Sequence, residues 1–498
     1  MTPATSETPV PTGVFASFRY AFSSPARLRI EVLGGLIVAL ALIPEAIAFS
    51  ILAGVDPRMG LFASCTMAIT IAFTGGRPAM ISAATGAVAL VIAPVVREHG
   101  VDYFLATIIL AGVIQIGLAA LGVARLMRFI PRSVMIGFVN ALALLVFFAQ
   151  IPHLIGVPFM VYPLFVAGLL IMILLPRFTT AVPAPLVVIV LATVVVVVSG
   201  ADVPNVSDQG QLPTSLPEPV LPKVPLNLDT LGIILPYSLA MALVGLMESL
   251  LTAKLVDDIT ESHSDKTRES AGQGIANIVT ALLGGMGGCA MIGQTMINVR
   301  VSGARTRLST VLAGVFLLLL ILTLGEIVGL IPMAALVAIM VMVSVTTMDW
   351  HSISPRTLRL MPLSETIVML VTVVATLATG NLAIGVVLGV LGAMVMFARR
   401  VAHLVRVERE TSGNISIYRV SGQLFWASSN DLVYAFDYSD PSQDIVIDLA
   451  AAEVWDASTV ATLDSVVQKY RARGRSVSII GLDGESLDRL ERLSGKLG

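Results

Sequence analysis

The stretch GGRPAMISAAT, residues 75–85, lies between two long apolar runs, yet it opens with two glycines, an arginine and a proline. Such residues delay helix formation. Its middle returns as GGCAMIGQT, residues 287–295, where Ala79-Met80-Ile81 recurs as Ala290-Met291-Ile292, an offset of 290 − 79 = 211 positions. A helix-breaking phrase written twice inside apolar sequence asks for a structural cause, and the surrounding chain supplies one.

The 498 residues are 56% hydrophobic and only 13% charged, where a soluble chain of this length carries about a quarter charged residues. Multispanning membrane protein is the class that fits. A net charge of −2 gives no footing for a nucleic-acid partner. The two cysteines, Cys65 and Cys289, sit in or beside apolar segments and suggest neither a disulfide framework nor a metal cluster. Residues 1–26 are polar and mixed, without the basic start, apolar run and cleavage site of a signal peptide. Basic residues number 21 through residue 400 and 10 after it, so a membrane domain (27–400) is followed by a small soluble one (413–498) through a linker, 401–412.

Runs of roughly 20 apolar residues, shorter where a helix is broken and buried in protein, read as fourteen spans. Their centres fall near residues 41, 66, 91, 112, 142, 167, 192, 243, 278, 299, 316, 340, 371 and 390, the third and tenth being short. With a cytoplasmic N-terminus, 18 of the 21 basic residues fall on the cytoplasmic side and only Arg58, Arg97 and Lys223 outside. That bias is the positive-inside pattern. An even count returns the C-terminal domain to the cytoplasm of a cell whose plasma (inner) membrane holds the chain.

The repeat now has a meaning. The first phrase precedes span three and the second span ten, and Glu45 in span one is echoed by Glu248 in span eight. Seven is odd, so the second copy is inverted in the membrane: a 7+7 repeat of residues 27–200 and 232–400, joined by a proline-rich linker at 201–231. Inverted repeats with paired broken helices mark secondary transporters. A half-helix starting at mid-membrane points its free N–H groups and positive dipole end inward, and two such starts hold an anion from both sides.

The candidate substrate residues are Pro78, Ala79, Met80 and Ser82 from the first phrase, Gly293, Gln294 and Thr295 from the second, and Glu45. Ser82 and Thr295 read equally as helix caps or packing groups. Glu45, in LALIPEAIAFS, and Glu248, in ALVGLMESLLTAK, are intramembrane carboxyls, a costly placement that argues for function. Both are candidates to carry a coupling proton; the structural alternative is a protonated acid tying two helices. Thr252, one turn after Glu248, offers an oxygen for a sodium ion instead. Asn140, Gln150, Gln273 and Asn277 read as glue between helices.

At these residues the chain resembles the SulP family of anion transporters, which includes pendrin and prestin. PEAIAFSILAGVDPRMGLFAS (44–64) is similar to the signature of its first two spans, MESLLTAKLVD (247–257) to its eighth, and GGMGGCAMIGQTMINVRVSGARTRLS (284–309) to its tenth. The resemblance implies a nucleobase-transporter-like fold with core and gate domains, and substrate between half-helices three and ten. It further implies sulfate, bicarbonate, chloride or dicarboxylate as substrate, moved with a proton or sodium or by exchange, and a homodimer. Many relatives place Arg-Ser where this chain has Gln294-Thr295, which argues against simple chloride exchange and for proton-coupled uptake.

From Ile415 the pattern turns to short strands, ISIYRV (415–420), QDIVIDLA (443–450) and SVSIIGL (476–482), with a helix at 456–472 whose stripe is Val460, Leu463, Val467 and Tyr470. Spacing and position resemble the STAS domain of this family's cytoplasmic tail, a small α/β unit with a possible cytoplasmic partner. Ser458 stands where related antagonists are phosphorylated, and reads first as an ordinary helix cap. No phosphate loop or catalytic triad occurs in the sequence, so an enzyme is excluded. A passive anion channel and a membrane sensor are the competing classes.

Overall fold

The computed structural model describes residues 11–122, 130–178, 183–402 and 405–496. Residues 1–10 of the expected N-terminal segment and residues 403–404 of the expected linker lie outside them. Within that segment a short helix, α1 (Val14–Ala21), was not anticipated from composition. Helix α2 (Pro25–Ala53) begins where the Ser24 side chain accepts from Arg27 N and Pro25 takes the first position, and it stops at left-handed Gly54. Then follow α3 (Pro57–Thr74), strand β1 (Ser82–Ala84), α4 (Gly86–His99), α5 (Val101–Ala120), α6 (Arg132–Gln150), α7 (Val161–Phe178) and α8 (Ala184–Ser199).

The second half repeats the plan. Asn227 caps α9 (Leu228–Thr260) and Asp265 caps α10 (Lys266–Leu282). Strand β2 (Gly288–Ala290) leads into α11 (Ile292–Met296), which continues as a π-helical turn, Ile297–Val301. Helices α12 (Arg307–Gly329), α13 (Met333–Thr347), α14 (Pro355–Leu360), α15 (Leu363–Thr379) and α16 (Leu382–Ala402) complete it. Each of the fourteen expected centres falls inside a helix, and among the described residues seven helices are long and apolar enough to cross a membrane on their own.

The two phrases meet. β1 and β2 pair antiparallel, Ser82 with Ala290, Ala83 with Cys289 and Ala84 with Gly288. Opposed strand directions send α4 and α11 away from the crossing in opposite senses, which is the inversion read from the sequence. The backbones cross so closely that a Cβ on Gly288 would lie 2.0 Å from the Ala83 carbonyl oxygen, so only glycine fits. The register differs from the repeated tripeptide. The residues preceding the two helices are Thr85 and Met291, an offset of 291 − 85 = 206, five fewer than the 211 of Ala-Met-Ile.

Helices α2, α3, α4, α5, α9, α10 and α12 pack on one another around this crossing, while α6, α7, α8, α13 and α15 form a second group. Three of the four polar residues expected as glue do join separate segments: Asn277 joins Gln115 and Gly288 N, Gln273 joins Ser82, and Asn140 joins Ser352 and Asp349 N, whereas Gln150 Nε2 donates to Val146 O of its own helix. The segment between α8 and α9 carries one short turn, Val206–Gln209, and is held by Val206 N to Ile331 O and Val220 N to Leu282 O.

The chain divides into two compact units between Val390 and Leu391, inside α16. The second unit holds β3 (Arg406–Ser412), β4 (Ile415–Leu424), α17 (Trp426–Tyr434), β5 (Asp444–Val454), α18 (Ala457–Arg471), β6 (Ser476–Ile480) and α19 (Gly484–Leu493). Its sheet runs β3-β4-β5-β6, antiparallel at the first pair and parallel after it. Residues 406–412, expected as linker, are therefore an edge strand: their charged side chains face water while the backbone pairs with β4. On α18 the fully buried stripe runs through Val466 rather than Val467, over a core built by Tyr418, Leu449 and Ile447.

Candidate functional site

Between the two helix groups lies a cavity of 510 Å³. One wall carries Glu45 and Phe49 from α2, Thr85, Gly86 and Ala87 at the start of α4, Glu248 and Leu251 from α9, and Met291 to Gln294 at the start of α11. The other carries Phe138, Leu142 and Val146 from α6 with Val343, Ser344 and Thr347 from α13. Pro44 stands inside α2 one residue before Glu45, where it removes a backbone hydrogen bond and loosens the helix beside the cavity. Glu45 is part-exposed to the cavity and Glu248 is 8% exposed. Among the described lining residues these two are the only charged side chains.

The starts of α4 and α11 are left open. Neither Thr85 nor Met291 makes a side-chain capping bond, so the first N–H groups of each helix retain donor capacity toward the cavity. A Cβ on Gly293 would have nothing within 4 Å, and backbone there is bare. Gln294 is 1% exposed, its side chain interacts with the Glu45 carboxyl, and its Oε1 has no hydrogen-bond partner. An unpartnered buried amide atom is costly unless something else occupies the site.

Four of the expected residues thus converge on the cavity: Glu45, Glu248, Gly293 and Gln294. Pro78, Ala79, Met80 and Ser82 do not line it. They are buried beneath it, because the first half-helix starts five residues later than the repeated tripeptide implies. There they hold the crossing together. Asn298 Nδ2 donates to Ala79 O at 2.8 Å, Thr310 Oγ1 to Met80 O at 3.4 Å, and Gln273 Nε2 to Ser82 Oγ at 2.6 Å. Ala79 adopts φ +62°, a left-handed conformation that strains a residue with a Cβ. Thr295 Oγ1 accepts from Ile81 N at 3.0 Å and so ties the second half-helix to the first phrase rather than facing the cavity. Thr252 Oγ1 donates to Glu248 O at 2.8 Å along its own helix and is fully buried.

Sequence reasoning missed Thr85, Gly86, Ala87 and Cys289. The signal for the first three was a β-branched hydroxyl followed by glycine just before an apolar run, a helix-start pattern hidden by the longer tripeptide match. Glu269 was also missed: fully buried on α10, its carboxylate accepts from Gly76 N and Arg77 N at 2.8 and 3.0 Å and anchors the first phrase. Arg77 pairs in turn with Asp257 at 3.1 Å.

With this geometry in view, the comparisons with known proteins are specific. The sulfate permease family matches residues 28–169 and 158–372, and the STAS domain matches 406–495. The putative sulfate transporter YbaR of Bacillus subtilis is 50% identical over 94% of this chain and 97% of its own. The bicarbonate transporter BicA of a Picosynechococcus species is 25% identical over 94% and 91%. The murine Slc26a9 anion transporter, solved in an inward-facing state, superposes with a TM-score of 0.81 at 15% identity over 96% and 89% of the two chains. The fold is therefore the helical Slc26 membrane fold followed by a small α/β STAS domain, and the chain belongs to the sulfate permease (SulP) family.

Proposed function

We propose that this protein is a secondary active anion transporter that loads a small anion together with a proton and carries both by alternating access. The observation that supports it is the cavity itself, where two oppositely directed helix starts face two carboxyls with no cationic side chain among the described lining residues. Backbone N–H groups and the Gln294 amide are the donors for the anion. Ionised glutamates repel it, so the anion binds when they carry protons, and coupling follows from electrostatics alone. Relatives named as sulfate and bicarbonate transporters support an anionic substrate. The proposed class is sulfate, bicarbonate or a C4-dicarboxylate such as fumarate. The α6–α13 wall moves against the wall of α2, α4, α9 and α11 to expose the cavity to one side and then the other.

Sodium coupling has weaker support. Thr252, the hydroxyl that a sodium site with Glu248 calls for, points into its own helix and lies outside the cavity lining. A passive channel is disfavoured by the two carboxyls. The proposal places the chain in the plasma (inner) membrane as a homodimer with both termini cytoplasmic, its STAS domain open to a cytoplasmic partner. Proteoliposomes test it with sulfate, bicarbonate and fumarate under an imposed pH or sodium gradient. Concentrative uptake driven by protons supports the reading. Downhill flux alone means a channel, absence of any transport means a sensor, and sodium-driven uptake abolished by Thr252→Val restores the sodium site.

A further inference from the structure

Three side chains from three elements form a hydrogen-bonded row whose middle member the transport reading leaves without a task. Cys289 Sγ, on β2, lies 2.9 Å from Glu248 Oε2 on α9 and 3.1 Å from Thr85 Oγ1 at the start of α4. The thiol is fully buried, while Glu248 and Thr85 both line the cavity. Thr85 stands at the capping position of α4, yet its hydroxyl makes no capping bond. It is free to be oriented by its other neighbour.

Such a row can be polarised in two directions. A carboxylate only accepts, so with Glu248 ionised the Cys289 S–H donates to Glu248 and the Thr85 O–H donates to Sγ. Thr85 then shows the cavity only lone pairs. With Glu248 protonated, its own O–H donates to Sγ, the S–H donates to Thr85 Oγ1, and the Thr85 hydrogen turns toward the cavity. We propose that Cys289 is a positioning residue that relays the protonation state of Glu248 to Thr85, so that Thr85 donates to a bound anion only when Glu248 carries a proton. This rests on the transporter reading and gives it a wire: anion and proton favour each other's binding by an equal factor.

The surroundings of Glu248 leave the row to itself. Cys289 faces it from β2, and Glu45 from α2 shares the cavity. Helix α11 carries no titratable residue. Those of α4 (Arg97, Glu98, His99) and α5 (Asp102, Tyr103), with Lys266 and Arg268 of α10, stand at helix ends. The buried Glu269 of α10 is engaged by Gly76 N, Arg77 N and Gln273, which joins it to Ser82 on the far strand of the crossing rather than to Cys289.

The test uses the full-length protein in nanodiscs. Sulfate, bicarbonate and fumarate affinities are measured from acid to neutral pH for the wild type, Cys289→Ser and Cys289→Ala. A serine hydroxyl both donates and accepts, so Cys289→Ser keeps the strengthening of binding toward acid pH. Cys289→Ala loses about tenfold of it, the worth of one hydrogen bond to a charged group. An Ala variant with the wild-type pH dependence overturns the relay. A second readout needs no anion. The S–H stretching band of Cys289, identified by its absence in Cys289→Ser, shifts as Glu248 titrates and stays fixed in Glu248→Gln. A band that does not move with pH in the wild type also overturns the proposal. A moving band in a protein that binds none of the three anions supports the hydrogen-bonded row and overturns the transport reading instead.

Discussion

Replacing Glu248 by glutamine preserves side-chain volume and the acceptor for Cys289, and removes only the exchangeable proton and its charge. The size of the effect follows from the cavity. A sphere of 510 Å³ has a radius of about 5 Å, so an anion near its centre sits about 5 Å from a lining carboxylate. At an effective dielectric constant of about 20, two like charges at that separation repel by about 3 kcal/mol. Water and salt inside the cavity screen part of this, leaving a change in anion affinity of about one to two orders of magnitude between ionised and protonated Glu248. Glu248→Gln is therefore expected to bind anion at neutral pH more tightly than the wild type does at that pH, but less tightly than the wild type in acid, because Glu45 still lines the cavity and the glutamine oxygen still accepts from Cys289. Transport responds differently. One proton per anion allows an inward gradient of one pH unit to drive accumulation of about tenfold in wild-type proteoliposomes. In Glu248→Gln that accumulation should collapse to equilibration, while exchange of labelled for unlabelled substrate persists. Undiminished accumulation under the same gradient would refute the assignment and pass the proton to Glu45.

The remaining predictions concern orientation, the binding wall and the tail. Ser412 is exposed on the edge strand β3, so Ser412→Cys should resist an impermeant thiol reagent in intact cells and react after the membrane is opened. Labelling of intact cells would invert the proposed topology. Gly293→Ala meets no atom within 4 Å and should leave thermal stability unchanged while weakening anion binding about tenfold, measured by titration of the purified protein. Unaltered affinity would place the anion away from α11. Asp440, fully buried in the tail, is pushed up by desolvation, but Ser442 N and the hydroxyls of Ser416, Tyr418 and Ser442 outweigh this and hold its carboxyl at about 2, below the ordinary 3.8. A depressed carboxyl stabilises above its unfolded value and loses that contribution as pH falls through the folded one, so Asp440→Asn should cost the tail about 2 kcal/mol near neutrality. Proteolytic sensitivity of residues 405–496 against temperature reads the difference, which should narrow between pH 3.8 and about 2.

Much of this architecture was legible because membranes simplify the code. Apolar runs located the helices, and the doubled phrase with its paired glutamates located the centre of the fold. What the sequence hid was register. Ala-Met-Ile is the longest identical string, but identity of letters is not identity of position. The helix starts set the equivalence at Thr85 with Met291, and a five-residue slip moved the expected lining from Pro78–Ser82 to Thr85–Ala87. Side-chain direction was hidden too. Thr252 and Thr295 have the chemistry of ligands, and only three dimensions reveal that one hydroxyl serves its own helix and the other the backbone of Ile81, just before β1. The tail's β3 was lost for a different reason: an edge strand exposed on both sides carries no apolar alternation to read.

The two repeats share a backbone plan and divide the chemistry between them. Glu45 belongs to the first repeat, but its side-chain partner, Gln294, comes from the second. Glu248 belongs to the second repeat, but through Cys289 its hydrogen bonds end on Thr85 at the first half-helix. Each carboxyl is therefore linked, directly or through Cys289, to the helix start contributed by the opposite repeat. A carboxyl whose partners lay within its own repeat would sense only its own half, and loading one would leave the other half-helix unaware. On the proton-coupled reading proposed above, crossed partners make each proton a statement about both halves. The π-helical turn after α11 and the strained Ala79 lie where that crossing is held, Asn298 of the turn donating to Ala79 O, so a shift of either half there is felt by the other.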